Sequence, residues 1–171
     1  MKEEIEKFDR FLNKKGLKFE SIIIGGAALL VMGLINRATR DVDCLDPEID
    51  KRIKVASIEF ARMEGIDENW LNNGPLDLKR DLPTGWKNRV VEIYQGKSIK
   101  LYSLGRMDLL RTKLYAYCDR QQDLKDCISL NPSDNELEEI KPWLIERDTN
   151  PLWPEHVGNS LEVLREEMSN G

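Results

Sequence analysis

The sequence predicts an α/β protein in which a mixed sheet is flanked by helices and followed by a helical C-terminal part. A β-branched apolar run ends at a glycine pair and continues into a helix-forming segment, which is typical of a strand, a turn and a helix. Two later strand-like segments flank a short glycine-containing loop and predict an antiparallel hairpin. We expect a single domain over residues 1–171, with a sheet-containing core in 1–104 and a mainly helical part in 105–171.

Length and composition indicate an ordinary globular protein. The 171 residues match the roughly 100 to 200 residues of one domain. A content of 40% hydrophobic and 33% charged residues excludes a disordered chain and a membrane protein. The uncharged, mostly apolar stretch over residues 22–35 is shorter than the roughly 20 residues of a membrane-spanning helix. The N-terminal segment is charged and lacks the apolar region of a signal peptide, so we expect a cytoplasmic protein.

The net charge of −5 is distributed unevenly along the chain. Residues 134–171 hold 10 acids and 3 bases, whereas residues 1–133 hold 21 acids and 23 bases. The charge of the mildly basic part is compatible with a groove for a polyanion such as a triphosphate or an RNA end. It lacks the strong basic excess that is typical of proteins that bind duplex DNA, so we expect no such partner.

Apolar periodicity and turn residues define the elements of the first half. The predicted order is a helix over residues 2–15, a strand over 19–24, a glycine turn, a buried helix, a strand over 41–45, a helix over 48–64 and a turn-rich segment over 69–86. Gly16 follows the last turn of the first predicted helix, at the position where glycine ends many helices.

The second half begins with the predicted hairpin and continues with helices. We expect strands over 89–94 and 98–102, then helices over 104–118, 121–130, 134–146 and 154–168. Ser133 or Asp134 can cap the third of these helices. The three cysteines form no CxxC pair and the chain has a single histidine, so we expect reduced, buried thiols and no zinc site of Cys and His.

The most informative motif is Asp41-Val42-Asp43 on the second predicted strand. Because side chains alternate along a strand, both carboxylates lie on one face and Val42 on the other. Carboxylate oxygens suit Mg²⁺, which often takes one or two carboxylates together with substrate phosphates. The alternative is a solvated strand edge whose charges are balanced by Arg37 and Arg40, and the motif alone favours this alternative.

The pair Gly25-Gly26 strengthens the functional interpretation. Glycines between a strand and a helix permit positive φ and a close approach of the backbone to a phosphate. A tight packing turn is an equally good explanation of the pair alone. The combination of the glycine pair with Asp41 and Asp43, preceded by Arg37-Ala38-Thr39-Arg40, favours a phosphate site over coincidence.

The spacing of Arg106, Lys113 and Arg120 predicts a cationic stripe, a row of positive side chains along one face of a helix. The residues are seven apart and therefore share one face of a helix. The functional interpretation is that Lys113 neutralises a triphosphate and that Asp123 positions or deprotonates an acceptor. The alternative is a solvated helix face whose local ion pairs contribute a few tenths of a kcal/mol each.

Glu92 is a further candidate because it lies on a predicted hairpin strand between two apolar residues. It could be a third metal-site carboxylate or a general base. Acids on hairpin strands more often face water.

Several motifs resemble those of the DNA polymerase β-like nucleotidyltransferase superfamily. The glycine motif Ile24-Gly25-Gly26-Ala27 and the strand motif Arg37-x-Thr39-x-Asp41-Val42-Asp43 carry this resemblance. Downstream residues resemble the AbiEii-type branch and its small relatives, which occur in bacterial toxin–antitoxin and phage-defence systems. These residues are Ser103, Asp108-Leu109-Leu110, Lys113, Ala116, Arg120, Asp123 and Asp126.

The resemblance implies a Mg²⁺ or Mn²⁺ ion held by Asp41 and Asp43 against the phosphates of an NTP. It implies further that the nucleotide is bound by Gly25, Gly26, Arg40 and Lys113, and that Asp123 is a downstream catalytic carboxylate. The expected reaction is attack of an acceptor hydroxyl on the α-phosphorus, and the acceptor is a protein or an RNA. The alternative function is a catalytically inactive module that binds a cognate toxin or antitoxin protein.

Overall fold

The computed structural model describes residues 1–74 and 76–170. It confirms the predicted fold class, since a five-stranded mixed sheet is accompanied by flanking helices and by a set of C-terminal helices. The chain divides into two compact units, Met1–Gly105 (unit 1) and Arg106–Gly171 (unit 2). Within the described part of the chain, no helix is both long and apolar enough to span a membrane.

Unit 1 contains all five strands. Its elements are α1 (Lys2–Lys14), β1 (Phe19–Ile24), α2 (Gly25–Val31), β2 (Val42–Asp46), α3 (Lys51–Glu64), β3 (Leu71–Asn73), α4 (Leu78–Asp81), a 3₁₀ turn (Trp86–Arg89), β4 (Val91–Gln95) and β5 (Ile99–Ser103). The strand order is β3-β2-β1-β5-β4. The β1–β2 and β4–β5 pairs are antiparallel, whereas the β1–β5 and β2–β3 pairs are parallel.

One face of the sheet packs on α1 and α3. The core there combines apolar side chains of four strands with rings from the helices, and the Phe8 ring lies 5.1 Å from that of Phe60 and 5.2 Å from that of Trp70. Val42 and Leu71 point into this core and are 1% and 2% exposed. Because side chains alternate along a strand, the residue that follows each of them lies on the opposite face of the sheet.

A carboxylate on α1 fixes the hairpin formed by β4 and β5. Asp9 is buried and accepts hydrogen bonds from the backbone N–H groups of Ser98 and Ile99 at 2.7 Å and of Lys97 at 3.0 Å. A Cβ at Gly96 would overlap this carboxylate, so glycine is required where the hairpin turns. Hydrogen bonds to Asp9 therefore hold the short glycine-containing loop, which the sequence predicted, against the first helix.

One unpredicted strand and the starts of two predicted elements are informative differences between the structure and the predictions. The turn-rich segment 69–86, apart from residue 75, which lies outside the described residues, contains the short strand β3. Asparagine is depleted in strands, so the pattern of Leu71–Asn73 gave no strand signal. Pairing with the backbone of β2 creates this strand. Gly25 is the first residue of α2 rather than part of a separate turn, and β2 begins at Val42 instead of Asp41.

Unit 2 consists of helices. They are α5 (Arg106–Arg120), α6 (Leu124–Leu130), α7 (Asp134–Ile145) and α8 (Trp153–Asn170). Ser133 caps α7 and forms a reciprocal capping box with Glu136, which confirms one of the two predicted caps. The predicted buried, free thiols are also found. Burial raises the pKa of Cys44 and Cys127 to about 12 and that of Cys118 to about 11, so these thiols are not nucleophiles at neutral pH.

Candidate active site

The carboxylate of Asp43 lies against the turn between β1 and α2. Asp43 is the register partner of Ile24, the last residue of β1, and the next residue, Gly25, has φ +72°. A Cβ on Gly25 would be 3.1 Å from Asp43 Oδ2. The sequence predicted a close approach of a phosphate to the glycine pair, and the group that lies close to Gly25 in the structure is a carboxylate of the Asp-x-Asp motif.

A second glycine, Gly74, follows β3 and lies next to Asp43. A Cβ on Gly74 would be 3.1 Å from the Cβ of Asp43, and the Gly74 N–H donates a 2.8 Å hydrogen bond to Cys44 O. The sequence indicated only that Gly74 belongs to a turn-rich segment, not that it lies next to Asp43. The structure places the side chain of Asp43 between two glycines, at each of which an added Cβ would press on it.

Asp41 precedes β2 and is exposed, whereas Val42 is buried and Asp43 is half-buried. Burial therefore alternates over these three residues, and the shared face of the two carboxylates stays a prediction. Beside Asp41 lies a cleft of about 430 Å³ at the same end of the strands. The cleft is lined by Arg40, Asp41, Ile66, Asp67, Asn69 and Trp70.

Arg37 reaches the second glycine of the pair. Its Nη2 and the Thr39 Oγ1 each lie 3.3 Å from the position that a Cβ on Gly26 would occupy. The loop after α2 therefore folds back and brings a guanidinium to the glycine pair. Nucleotide binding was predicted for Arg40, which lines the cleft, whereas Arg37 was considered as a balancing charge and as part of the Arg37-x-Thr39 motif. The alternate spacing of residues 37, 39, 41 and 43 was the signal that could have revealed this side chain.

Glu92 lies far from Asp43 within the sheet. It is exposed on β4 and pairs with Lys100 Nζ at 3.0 Å. Because β1 and β5 separate β2 from β4, the two strands are three steps apart, or about 14 Å at roughly 4.8 Å per step. One ion does not bridge that distance, which corrects the expectation that Glu92 joins Asp43 at a metal. Among residues 1–74 and 76–170, no three His, Cys, Asp or Glu side chains are arranged to hold a metal.

The predicted cationic stripe on α5 is interrupted at its centre, because Lys113 is buried while Arg106 and Arg120 are exposed. Lys113 is only 5% exposed, and its Nζ lies 3.2 Å from Asp123 Oδ1 and 2.7 Å from Asp126 Oδ2. Arg120 contacts the other oxygen of Asp123 at 2.8 Å, and Arg106 pairs with a glutamate on α7 at 2.6 Å. The alternative of a solvated helix face is wrong for Lys113 as well, since this lysine is buried.

The candidate residues therefore form two groups. Gly25, Gly26, Asp41 and Asp43 belong to unit 1, together with the cationic side chains of the loop after α2. Lys113 and Asp123 belong to unit 2, where they contact each other.

A family model described as a nucleotidyltransferase of unknown function (DUF6036) matches residues 2–144. The match covers the glycine pair, both carboxylates of the Asp-x-Asp motif and the ion-paired group of unit 2. It supports the resemblance to nucleotidyltransferases without specifying the AbiEii-type branch. No curated protein and no solved structure matches the chain.

Proposed function

We propose that this chain, which belongs to the nucleotidyltransferase family DUF6036, moves an NMP group from an NTP to a hydroxyl of a protein or RNA acceptor. The observation that carries the proposal is the packing of the Asp43 carboxylate against Gly25, with the Arg37 guanidinium at Gly26. A potential metal ligand and a phosphate-binding cation thus lie at adjacent residues of one backbone turn.

Asp41 and Asp43 would hold a Mg²⁺ or Mn²⁺ ion. The two carboxylates fit such an ion because Mg²⁺ often takes one or two carboxylates and completes its coordination with phosphates and water. The turn at Gly25 supports this fit, since glycine lets Asp43 Oδ2 lie close to the backbone where the phosphates are proposed to bind. When bound, the ion would neutralise phosphate charge and orient the NTP.

The protein groups around this position would bind and orient the triphosphate. Gly25 and Gly26 expose their backbone to it, and the planar guanidinium of Arg37 can donate two parallel hydrogen bonds to phosphate oxygens. In the reaction, an oxygen of the acceptor bonds to the α-phosphorus while the bond to the pyrophosphate oxygen breaks. Arg37 would stabilise the negative charge that the departing pyrophosphate carries.

In unit 2 we propose that Asp123 binds or deprotonates the acceptor hydroxyl. Lys113 and Arg120 contact its two carboxylate oxygens and thereby fix its orientation. Because Lys113 is buried, we assign it to positioning Asp123 rather than to first contact with the triphosphate. Membership of the AbiEii-type branch and a role in a toxin–antitoxin or phage-defence system are part of the proposal, supported by the sequence motif that contains these residues.

One observation favours a second candidate function, a catalytically inactive module that binds a cognate protein. Within the described residues, no third acid joins Asp41 and Asp43. Such a module would require neither an NTP nor a metal.

Thermal unfolding with each of the four NTPs, with and without Mg²⁺, tests the proposal without knowledge of the acceptor. A nucleotide at one hundred times its Kd stabilises the folded state by about 2.7 kcal/mol. For a chain of this size, that corresponds to a rise in Tm of roughly 5 to 10 °C. We expect a Mg²⁺-dependent rise in the wild type and none in Asp43→Asn.

Asp46→Asn is the matched control because Asp46 lies on the same strand and pairs with Lys79 and Lys87. Its Tm without ligand can fall, but its response to NTP should remain. A wild type that responds to no NTP would contradict the proposal and favour the inactive module, and so would an undiminished response in Asp43→Asn.

A further inference from the structure

The pairing of β2 with β3 places Asn72 beside Asp43. The two strands are parallel, with Val42 opposite Leu71 and Asp43 opposite Asn72. Val42 and Leu71 both point into the core beneath α1 and α3. Since side chains alternate on each strand, Asp43 and Asn72 lie together on the opposite face.

Asn72 is one strand away from Asp43, whereas Glu92 is three strands away. Adjacent strands are about 4.8 Å apart, so the side chains of Asp43 and Asn72 can reach one ion. Both residues are half-buried. The register therefore provides an oxygen-bearing side chain at the place where no third carboxylate is found among the described residues.

Asn72 makes its local side-chain contact through the amide nitrogen. The amide Nδ2 lies 3.5 Å from the carbonyl oxygen of Asn69 and donates to it. Carbonyl oxygens of asparagine side chains are suitable ligands for hard divalent cations. We infer that Asn72 Oδ1 is a third protein ligand of the divalent cation that Asp41 and Asp43 bind. This inference rests on the proposed function.

The next residue, Asn73, provides a matched control on the same strand. Its side chain lies on the other face, where Oδ1 accepts a 2.9 Å hydrogen bond from the backbone N–H of Ile49. The substitution Asn73→Asp keeps a side-chain oxygen that can accept this hydrogen bond. Asn72→Asp and Asn73→Asp thus add the same charge at neighbouring positions, on opposite faces of β3.

Direct titration with Mn²⁺ alone, followed by the electron paramagnetic resonance signal of the free ion, measures the site without an NTP or an acceptor. The full chain is used for the wild type, Asp43→Asn, Asn72→Ala, Asn72→Asp and Asn73→Asp. We expect Asn72→Ala to raise the Kd for Mn²⁺ about tenfold. Asn72→Asp should lower the Kd because it adds a charged ligand. Asn73→Asp should leave it unchanged, and Asp43→Asn should abolish binding.

The outcomes separate this inference from the proposed function. If Asp43→Asn abolishes binding while both substitutions of Asn72 leave the Kd unchanged, Asn72 is not a ligand and the two-carboxylate site stands. If Asn73→Asp lowers the Kd as much as Asn72→Asp does, the effect is one of general charge and the inference fails. Undiminished binding in Asp43→Asn, or no binding in either the wild type or Asn72→Asp, would overturn the metal site itself.

Discussion

Gly25→Ala is expected to abolish the Mg²⁺-dependent stabilisation by NTP, whereas Gly16→Ala should preserve it. Both glycines have positive φ, +72° at Gly25 and +66° at Gly16. Alanine in the left-handed region costs about 1 to 2 kcal/mol, so the free energy of unfolding should fall in both variants. Only at Gly25 would the new Cβ meet the Asp43 carboxylate, at 3.1 Å, because nothing lies within 4 Å of a Cβ at Gly16.

The comparison uses urea unfolding to measure stability and the change in Tm with NTP and Mg²⁺ to measure the site. Equal losses of stability with a loss of the nucleotide response in Gly25→Ala alone would assign the effect to the displaced carboxylate. A Gly25→Ala protein that responds fully to NTP would contradict the role of this turn. A loss of response in Gly16→Ala would show that general destabilisation is the cause.

Asp126→Ala is expected to lower the free energy of unfolding by about 3 to 5 kcal/mol, the usual cost of breaking a buried ion pair from one side. Asp126 is 2% exposed and lies 2.7 Å from the buried Nζ of Lys113. Without Asp126, the Lys113 ammonium still lies 3.2 Å from Asp123. It shares that carboxylate with Arg120. The truncation also leaves a cavity between α5 and α6.

Glu138→Ala is the control for Asp126→Ala in the same urea experiment. Glu138 also pairs with a base, Arg165 at 2.6 Å, but its side chain is 61% exposed. Exposed pairs contribute roughly 0 to 1 kcal/mol, so this variant should unfold close to the wild type. If Asp126→Ala lowers the free energy of unfolding no more than Glu138→Ala does, the Lys113 ammonium does not depend on Asp126. The buried pair then does not stabilise unit 2.

Local patterns sufficed to predict most of the fold. The apolar run of β1 was bounded correctly at residues 19–24, and the helices of unit 2 were placed within three residues of their observed ends. These segments carry strong periodicity and clear stop residues. The strand β3 was missed because its stability comes from the backbone of β2 and not from its own residues.

The candidate site was predictable only where it depends on local geometry. The close approach at Gly25 follows from residue type, and the alternating burial of residues 41–43 follows from the pattern of a strand. The burial of Lys113 depends on Asp126, which lies on a different helix, and a helical projection of α5 does not contain that information. The position of Arg37 depends likewise on a loop that folds back onto the glycine pair.

The most direct test of nucleotidyl transfer compares NTPs labelled at the α-phosphate and at the γ-phosphate, incubated with the full chain, Mg²⁺ and cell lysate. We expect incorporation of the α label, but not of the γ label, into protein or RNA, and treatment with protease or ribonuclease distinguishes these two acceptors. Incorporation should fall at least about 100-fold in Asp43→Asn, as expected when a key electrostatic group of the transition state is lost. Transfer of the γ label, or equal incorporation by wild type and Asp43→Asn, would contradict the proposed function.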